Sequence, residues 1–168
     1  MNRQALLLER VPHKKAGEHR RLRAAQWSIG MSICLYADVP RIFQLLTVPE
    51  YLETWACFPA GELDAQARVF QSANEYKLDF YCADHLKSTI RGSYLVCRHR
   101  KMLFTWSNVG LSSGVSLVDI RLRGNFGSSI LELRHTDLAS ATEYFWQLTM
   151  WRASFERLVR LTKNSQLA

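Results

Sequence analysis

Residues 27–55 have the sequence WSIGMSICLYADVPRIFQLLTVPEYLETW, and this stretch decides the fold. Its first nine residues alternate between apolar and mostly small or polar side chains, which predicts a β-strand with one apolar face. Asp38 can then cap a helix whose first turn accommodates Pro40. Apolar residues follow at helical spacing up to Thr47, which we expect to end this helix and to cap the next. That second short helix has Trp55 on its apolar side.

After residue 67, apolar and polar side chains alternate in a series of short segments, and from Ser140 the apolar side chains recur at helical spacing. The predicted strands cover residues 68–71, 76–82, 86–96, 102–106, 115–122 and 128–135. We expect Leu86, Ile90, Tyr94 and Val96 to share the inner face of their strand. Ser140 and Glu143 form a capping-box pattern before a long final helix. The order predicts an α+β fold, in which a curved antiparallel sheet of six to seven strands wraps round a long C-terminal helix, with two short helices after strand 1.

The net charge of +7 is concentrated at the N-terminus, where residues 1–26 hold seven basic and two acidic residues. We therefore predict a basic, flexible leader over residues 1–26, one domain over residues 27–163 and a tail over residues 164–168. A phosphate-binding arm for nucleic acid is the alternative for the leader, but no aromatic side chain interleaves its charges. The apolar run at residues 5–8 is too short for a signal peptide, and no run reaches the ~20 residues of a membrane span. We therefore predict a cytoplasmic protein with no membrane span.

The sequence has few signatures of catalytic or metal chemistry. It contains no CxxC pair, no HxxxH or HExxH spacing and no GxSxG, P-loop or GxGxxG motif, so we expect no metal and no cofactor. The cysteines, which we expect to be buried and reduced, are Cys34, Cys57, Cys82 and Cys97. His135 is the one candidate catalytic residue, a general base facing a cavity if Asp137 or Glu132 approaches it. The alternative is a structural histidine that hydrogen-bonds to backbone where the last strand meets the helix.

Side chains on the predicted inner faces form the candidate binding site. A sheet wrapped round a helix leaves a space between them, and tyrosine or tryptophan can orient a mostly apolar ligand there. The alternative is a closed core in which these rings pack against one another. The candidate cavity residues are Phe43, Tyr51, Trp55, Tyr76, Leu78, Phe80, Ile90, Tyr94, Met102, Phe104, Trp106, Tyr144, Leu148 and Trp151. Asp79, Arg91 and Arg121 would reach this cavity only if the strand parity shifted by one residue.

Several local motifs, taken in order, resemble the START/Bet v 1-like (SRPBCC) superfamily with its helix-grip fold. The strings ADVPRIF at 37–43 and LTVPEYL at 46–52, followed by Trp55, are similar to the strand exit and helix pair of one branch. That branch contains the bacterial domains related to the C-terminal domain of the activator of Hsp90 ATPase. LFTW at 103–106 and LELRH at 131–135 resemble two of its later strands.

The final helix also resembles that family, through the spacing of Trp151, Phe155 and Leu158. Two departures stand out along the chain. Residues 64–67 have the sequence DAQA where the family often has a pair of glycines, and Met150 replaces the glycine usual before the helix tryptophan.

The resemblance implies a binding cavity and seldom a shared catalytic set. We favour a non-catalytic binding protein for a hydrophobic, aromatic or lipid-like small molecule, and the resemblance also implies a homodimer. One alternative is a protein-interaction domain that acts as a co-chaperone of an Hsp90-type ATPase. Another is a cyclase-like or hydrolase-like cavity enzyme that uses His135. Nucleic acid is not an expected partner, since the domain itself is nearly neutral.

Overall fold

The computed structural model of the chain describes residues 27–58, 66–110 and 114–164. The predicted leader and all but the first residue of the predicted tail lie outside these ranges. The described part forms seven strands and three helices. In chain order they are β1 (Trp27–Leu35), α1 (Val39–Thr47), α2 (Pro49–Trp55), β2 (Gln66–Ser72), β3 (Glu75–Cys82), β4 (His85–Arg98), β5 (Lys101–Val109), β6 (Ser116–Asn125), β7 (Ser128–Leu138) and α3 (Ala141–Asn164).

The strands form one antiparallel sheet in the order β1-β7-β6-β5-β4-β3-β2. Strands β2 to β7 follow one another as a meander, and β1 pairs with β7 from Trp27 opposite Leu138 to Leu35 opposite Ser129. Helix α3 packs on the β1 side of the sheet, whereas α2 packs on β2 at the other edge. The chain therefore has the predicted α+β helix-grip fold, with seven strands in a curved sheet.

The predicted starts of α1 and α3 are confirmed by hydrogen bonds at their first turns. The carboxylate of Asp38 accepts from the backbone N–H of Arg41 at 3.0 Å. At α3, the hydroxyl oxygen of Ser140 accepts from the N–H of Glu143 at 3.1 Å. The carboxylate of Glu143 in turn accepts from the N–H of Ala139 at 2.7 Å. In each helix, the capping side chain therefore satisfies one of the N–H groups that the first turn leaves without a partner in the helix.

The prediction that Thr47 caps α2 is wrong. Its hydroxyl donates to the carbonyl of Phe43 at 2.7 Å, inside α1. Helix α2 begins after Val48, which supplies no side-chain cap. A threonine in the last turn of a helix can bond to the carbonyl four residues before it. Here that bond keeps the hydroxyl inside the first helix.

Replacing Asp38 with alanine is expected to lower the free energy of unfolding by about 1 kcal/mol, because the N–H of Arg41 loses its acceptor. Urea unfolding followed by circular dichroism measures this loss. The Asp38→Asn variant keeps an oxygen acceptor and should stay close to the wild-type stability. An equal loss in both variants would show that the cap is not the cause.

The inner and outer faces of the strands follow the predicted alternation in β3 and β5, but β4 departs from it at two β-bulges. Against β3, Phe80 pairs with Ser88 and Tyr81 pairs with Leu86, so Lys87 is an extra residue. Leu86 is exposed, and its predicted place on the inner face is wrong.

The second bulge lies against β5. Tyr94 pairs with Phe104, but Val96 pairs with Leu103, so Leu95 is an extra residue that forms a β-bulge. A bulge shifts the parity of the strand beyond it by one residue. The prediction that Val96 shares the inner face with Tyr94 is therefore wrong.

The four cysteines are free, as expected, but only Cys57 is buried and Cys82 is half-buried. Cys34 and Cys97 are exposed, so the prediction of burial is wrong for both. Cys34 lies between inward-facing neighbours on β1, and its side chain consequently points away from the core. Cys97 lies after the bulge, close to the end of β4.

Candidate functional site

A small cavity lies between the inner face of the sheet and the helices α1, α2 and α3. Its volume is about 50 Å³. The residues that line it are Leu46, Leu52, Trp55, Ala56, Tyr76, Leu78, Phe80, Tyr94, Met102, Phe104, Trp106, Ile120, Met150, Trp151 and Ser154. The lining is almost wholly apolar, which suits a ligand that is held mainly by burial of apolar surface.

Most of the residues predicted for the cavity do line it. They are Trp55, Tyr76, Leu78, Phe80, Tyr94, Met102, Phe104, Trp106 and Trp151. They come from α2, from three adjacent strands (β3, β4 and β5) and from α3, and those on β3 and β5 follow the predicted alternation.

The remaining predicted cavity residues lie elsewhere. Tyr51 is exposed, and the guanidinium of Arg41 covers its ring at 4.6 Å from the centroid. Phe43 contacts the imidazole of His99 edge-on. Tyr144 packs on Trp27 at a centroid distance of 5.4 Å. Ile90 and Leu148 are buried in the core outside the cavity lining.

Six lining residues were missed by sequence reasoning, and none of them is aromatic. They are Leu46, Leu52, Ala56, Ile120, Met150 and Ser154. Most of the predicted cavity residues, in contrast, are aromatic. The inward parity of Ile120 on β6 was available as a signal. The position of Ser154 one turn after Met150 on α3 was available too.

One polar atom in the lining has no partner. The indole N–H of Trp106 is buried and makes no hydrogen bond within the described part of the chain. The other two tryptophans of the lining are satisfied, because Trp55 donates to the carbonyl of Leu45 at 2.8 Å and Trp151 donates to His135 at 3.1 Å. A buried donor without an acceptor costs about 1–3 kcal/mol, so it is a natural point for a ligand acceptor.

Two tyrosines in the lining keep their protons. Burial raises the pKa of Tyr94 to about 12 and raises the pKa of Tyr76 well above its ordinary value. The hydroxyl of Tyr76 donates to the carbonyl of Thr105 at 2.7 Å. Among the described residues that line the cavity, none carries a carboxylate, an imidazole or a thiol. The cavity wall is therefore suited to binding and lacks an acid–base pair.

His135 is fully buried in the core and does not line the cavity, contrary to the expectation that it faces that space. Its ring makes edge contacts with the rings of Trp106 and Trp151, which also contact each other at a centroid distance of 5.1 Å. Because an indole N–H can only donate, the Nδ1 atom that receives the bond from Trp151 is an acceptor. The protonated Nε2 then donates to the Ser116 hydroxyl at 2.7 Å, and that hydroxyl donates to the Trp106 carbonyl at 2.9 Å.

Burial lowers the pKa of His135 from its ordinary value of 6.5 to about 3. The imidazole is therefore neutral and locked in one tautomer by neighbours on β5, β6 and α3. Neither Asp137 nor Glu132 approaches it, since both lie near the surface of β7. This arrangement is that of a structural histidine, although its partners are side chains rather than the backbone.

The described part of the chain contains neither a cluster of metal-binding side chains nor a membrane-spanning helix. No group of three or more His, Cys, Asp or Glu side chains there lies close enough together to hold a metal ion. Within the same residues, no helix is long and apolar enough to cross a membrane.

Comparison with known proteins identifies the fold of this chain and no family. No protein-family model matches it, and a search of curated proteins finds no match. Among solved structures it is similar to CV1439 from Chromobacterium violaceum, with a TM-score of 0.69 and 17% identity over 80% of this chain and 96% of that one. Ms6760 from Mycobacterium smegmatis matches with a TM-score of 0.63 and 16% identity, over 80% of this chain and 89% of that one.

A third similar structure is DynU16, from the dynemicin biosynthetic locus. The TM-score is 0.62 and the identity 18%, over 82% of this chain but only 48% of DynU16, so the chain spans about half of that protein. Identities this low establish a shared architecture only, because one fold hosts many functions. The chain therefore has the fold of a sheet wrapped round a C-terminal helix, as these proteins do.

Proposed function

We propose that this chain is a non-catalytic binding protein of the START/Bet v 1-like type, which takes a small apolar molecule carrying one hydrogen-bond acceptor. The observation that carries the proposal is the buried, unpaired indole N–H of Trp106, a residue that lines an almost wholly apolar cavity. An acceptor on the ligand, such as a carbonyl or ether oxygen, completes this bond while the apolar body fills the cavity. The origin of DynU16 in a biosynthetic locus is compatible with a small-molecule ligand.

The size of the cavity limits the ligand to one small ring. A volume of about 50 Å³ has room for only about three to five water-sized atoms. Typical ligand pockets measure ~300–1,000 Å³, so a large lipid does not fit this arrangement of side chains. Met102 and Met150 both line the space, and methionine is unbranched and adapts its shape readily. Rotation of these two side chains would admit a five- or six-membered ring.

A matched pair of probes tests the proposal. Cyclohexanone and methylcyclohexane have similar size and shape, but only the ketone offers an acceptor. We expect cyclohexanone to shift the Trp106 indole N–H resonance in a saturable way and to bind about tenfold more tightly than methylcyclohexane. Nuclear magnetic resonance of the labelled protein measures both quantities.

Two variants decide whether Trp106 is responsible. Trp106→Phe keeps an aromatic ring but removes the donor, so the preference for the ketone should disappear. Trp27→Phe is the control, because Trp27 lies on the edge strand β1 against Tyr144 and outside the cavity lining. Failure of both probes to bind the wild type, or a ketone preference that survives in Trp106→Phe, would contradict the proposal.

A further inference from the structure

A second and larger concavity lies on the outer face of the sheet and shares only Tyr76 with the lining of the inner cavity. This outer groove has a volume of about 720 Å³ and crosses strands β2 to β5. One row of its floor runs across the strands as Phe70, Lys77, Arg91 and Ser107, each directly opposite the next. A volume of this size falls within the range of small-molecule sites.

The two cations of this row, Lys77 and Arg91, differ in whether a carboxylate neutralises them. Lys77 places its ammonium 2.6 Å from the carboxylate of Asp79 and 4.3 Å from the ring centroid of Phe70. Asp79 is itself buried and also accepts from the hydroxyl of Thr89 at 2.7 Å. Lys77 is thus neutralised within the fold.

Arg91 has no such partner. It is exposed, and no carboxylate of the described residues lies within ion-pair distance of its guanidinium. It stands directly opposite Lys77, whose own charge is met by Asp79. An anionic ligand at Arg91 would supply the partner that the described part of the fold does not, and a carboxylate would fit the two-pronged geometry of the guanidinium.

The surroundings of Arg91 restrict the kind of anion. Ser107 faces it from β5 and offers a hydroxyl donor. Phe70 is half exposed and lies two strands away from Arg91. Two strand spacings correspond to about 10 Å between the two backbones. The ring of Phe70 can pack on the apolar body of a ligand. Glu75 lies on the neighbouring row, opposite Ser93, and its carboxylate repels a second negative charge. A dianion such as phosphate is therefore disfavoured.

We propose that the outer groove binds a monocarboxylate with an aromatic or branched apolar tail, the carboxylate on Arg91 and the tail on Phe70. This site is separate from the inner cavity, and its ligand is distinct from the neutral molecule proposed for Trp106. The two proposals can therefore fail independently.

Calorimetric titration of the full chain with 4-phenylbutyrate tests this assignment. The neutral 4-phenylbutanamide is the matched probe, since it keeps the tail and loses the charge. We expect 4-phenylbutyrate to bind saturably and about tenfold more tightly than the amide, because charge-assisted hydrogen bonds to Arg91 are lost with the amide. Arg91→Gln should lower the affinity for the acid to that for the amide.

A control on the same strand separates a specific site from general attraction to cations. Arg98 is exposed on β4, faces the same outer side and lies outside the groove, so Arg98→Gln should leave the affinity within about twofold of the wild type. The proposal is overturned by any of three results. These are no saturable binding of 4-phenylbutyrate up to about 10 mM, equal affinities for the acid and the amide, or an equal loss in the Arg91 and Arg98 variants.

Discussion

Lowering the pH from 7 to 5 is expected to reduce the free energy of unfolding by about 2 kcal/mol through one side chain, His135. Burial holds the pKa of this imidazole at about 3 in the folded chain, whereas the ordinary value of 6.5 applies once the chain unfolds. Between these two values the unfolded chain binds one more proton than the folded chain. Stability is therefore complete above about pH 6.5 and is lost progressively as the pH falls toward 3.

The hydrogen bonds around His135 explain why the folded chain resists this proton. A proton can enter only at Nδ1, which already accepts from the indole N–H of Trp151. Protonation would set two donors against each other in a space that excludes water. It would also place a charge beside the rings of Trp106 and Trp151 with no carboxylate in contact.

Chemical denaturation at a series of pH values measures the effect. Acid also protonates carboxylates, so the informative quantity is the difference between the wild type and His135→Gln, whose amide cannot titrate. We expect the variant to be less stable at pH 7 but to lose less stability between pH 7 and 5. His85→Gln is the control, because His85 is exposed at the start of β4, and its pH profile should follow the wild type. Parallel profiles for the wild type and His135→Gln would rule out His135 as the source.

The elements of the fold were predictable where the signal is local. The capping box of Ser140 and Glu143 depends on residues three apart, and the cap at Asp38 is equally local. The alternation in β3 placed Tyr76, Leu78 and Phe80 on the inner face without knowledge of their neighbours, because successive side chains of a strand point to opposite sides. These patterns are properties of short segments, and the structure retains them.

The features that the sequence could not predict depend on residues far apart in the chain. The bulge at Leu95 changes which residues of β4 face inward, and it can be recognised only from the pairing of β4 with β5. The volume of the cavity depends on how the side chains of Met102 and Met150 fill it. Met150 is also one of the two departures from the family that the sequence resembles. Tyr51 lies on the surface, where the guanidinium of Arg41 from another helix covers its ring, and this contact between two helices leaves no mark in the local pattern.

The two faces of the sheet meet at Tyr76, which lines both the inner cavity and the outer groove. Its hydroxyl donates to the carbonyl of Thr105. This carbonyl therefore bonds to a side chain at a point where the backbone hydrogen bonds between β4 and β5 would continue. The N–H of Ser93 correspondingly bonds to the hydroxyl oxygen of Thr105 at 2.8 Å. The ladder is therefore replaced locally by side-chain bonds, and Gly92 is the residue that lies against this point.

Replacing Gly92 with alanine is consequently expected to destabilise the fold by about 3 kcal/mol. A Cβ atom there would overlap the carbonyl oxygen of Thr105 and come within 2.5 Å of the Tyr76 hydroxyl, and a backbone atom in a paired strand cannot move aside easily. Urea unfolding measures the loss. Gly114→Ala is the matched control, since a Cβ there meets nothing within 4 Å, and it should change stability little.

A double substitution tests whether the clash acts through the bond from Tyr76 to Thr105. If the clash breaks this bond, Tyr76→Phe should lower the stability of the Gly92→Ala variant by less than it lowers that of the wild type. Equal costs of Tyr76→Phe in the two backgrounds would show that the bond survives the substitution, and a stable Gly92→Ala protein would show that the two strands can separate there without penalty.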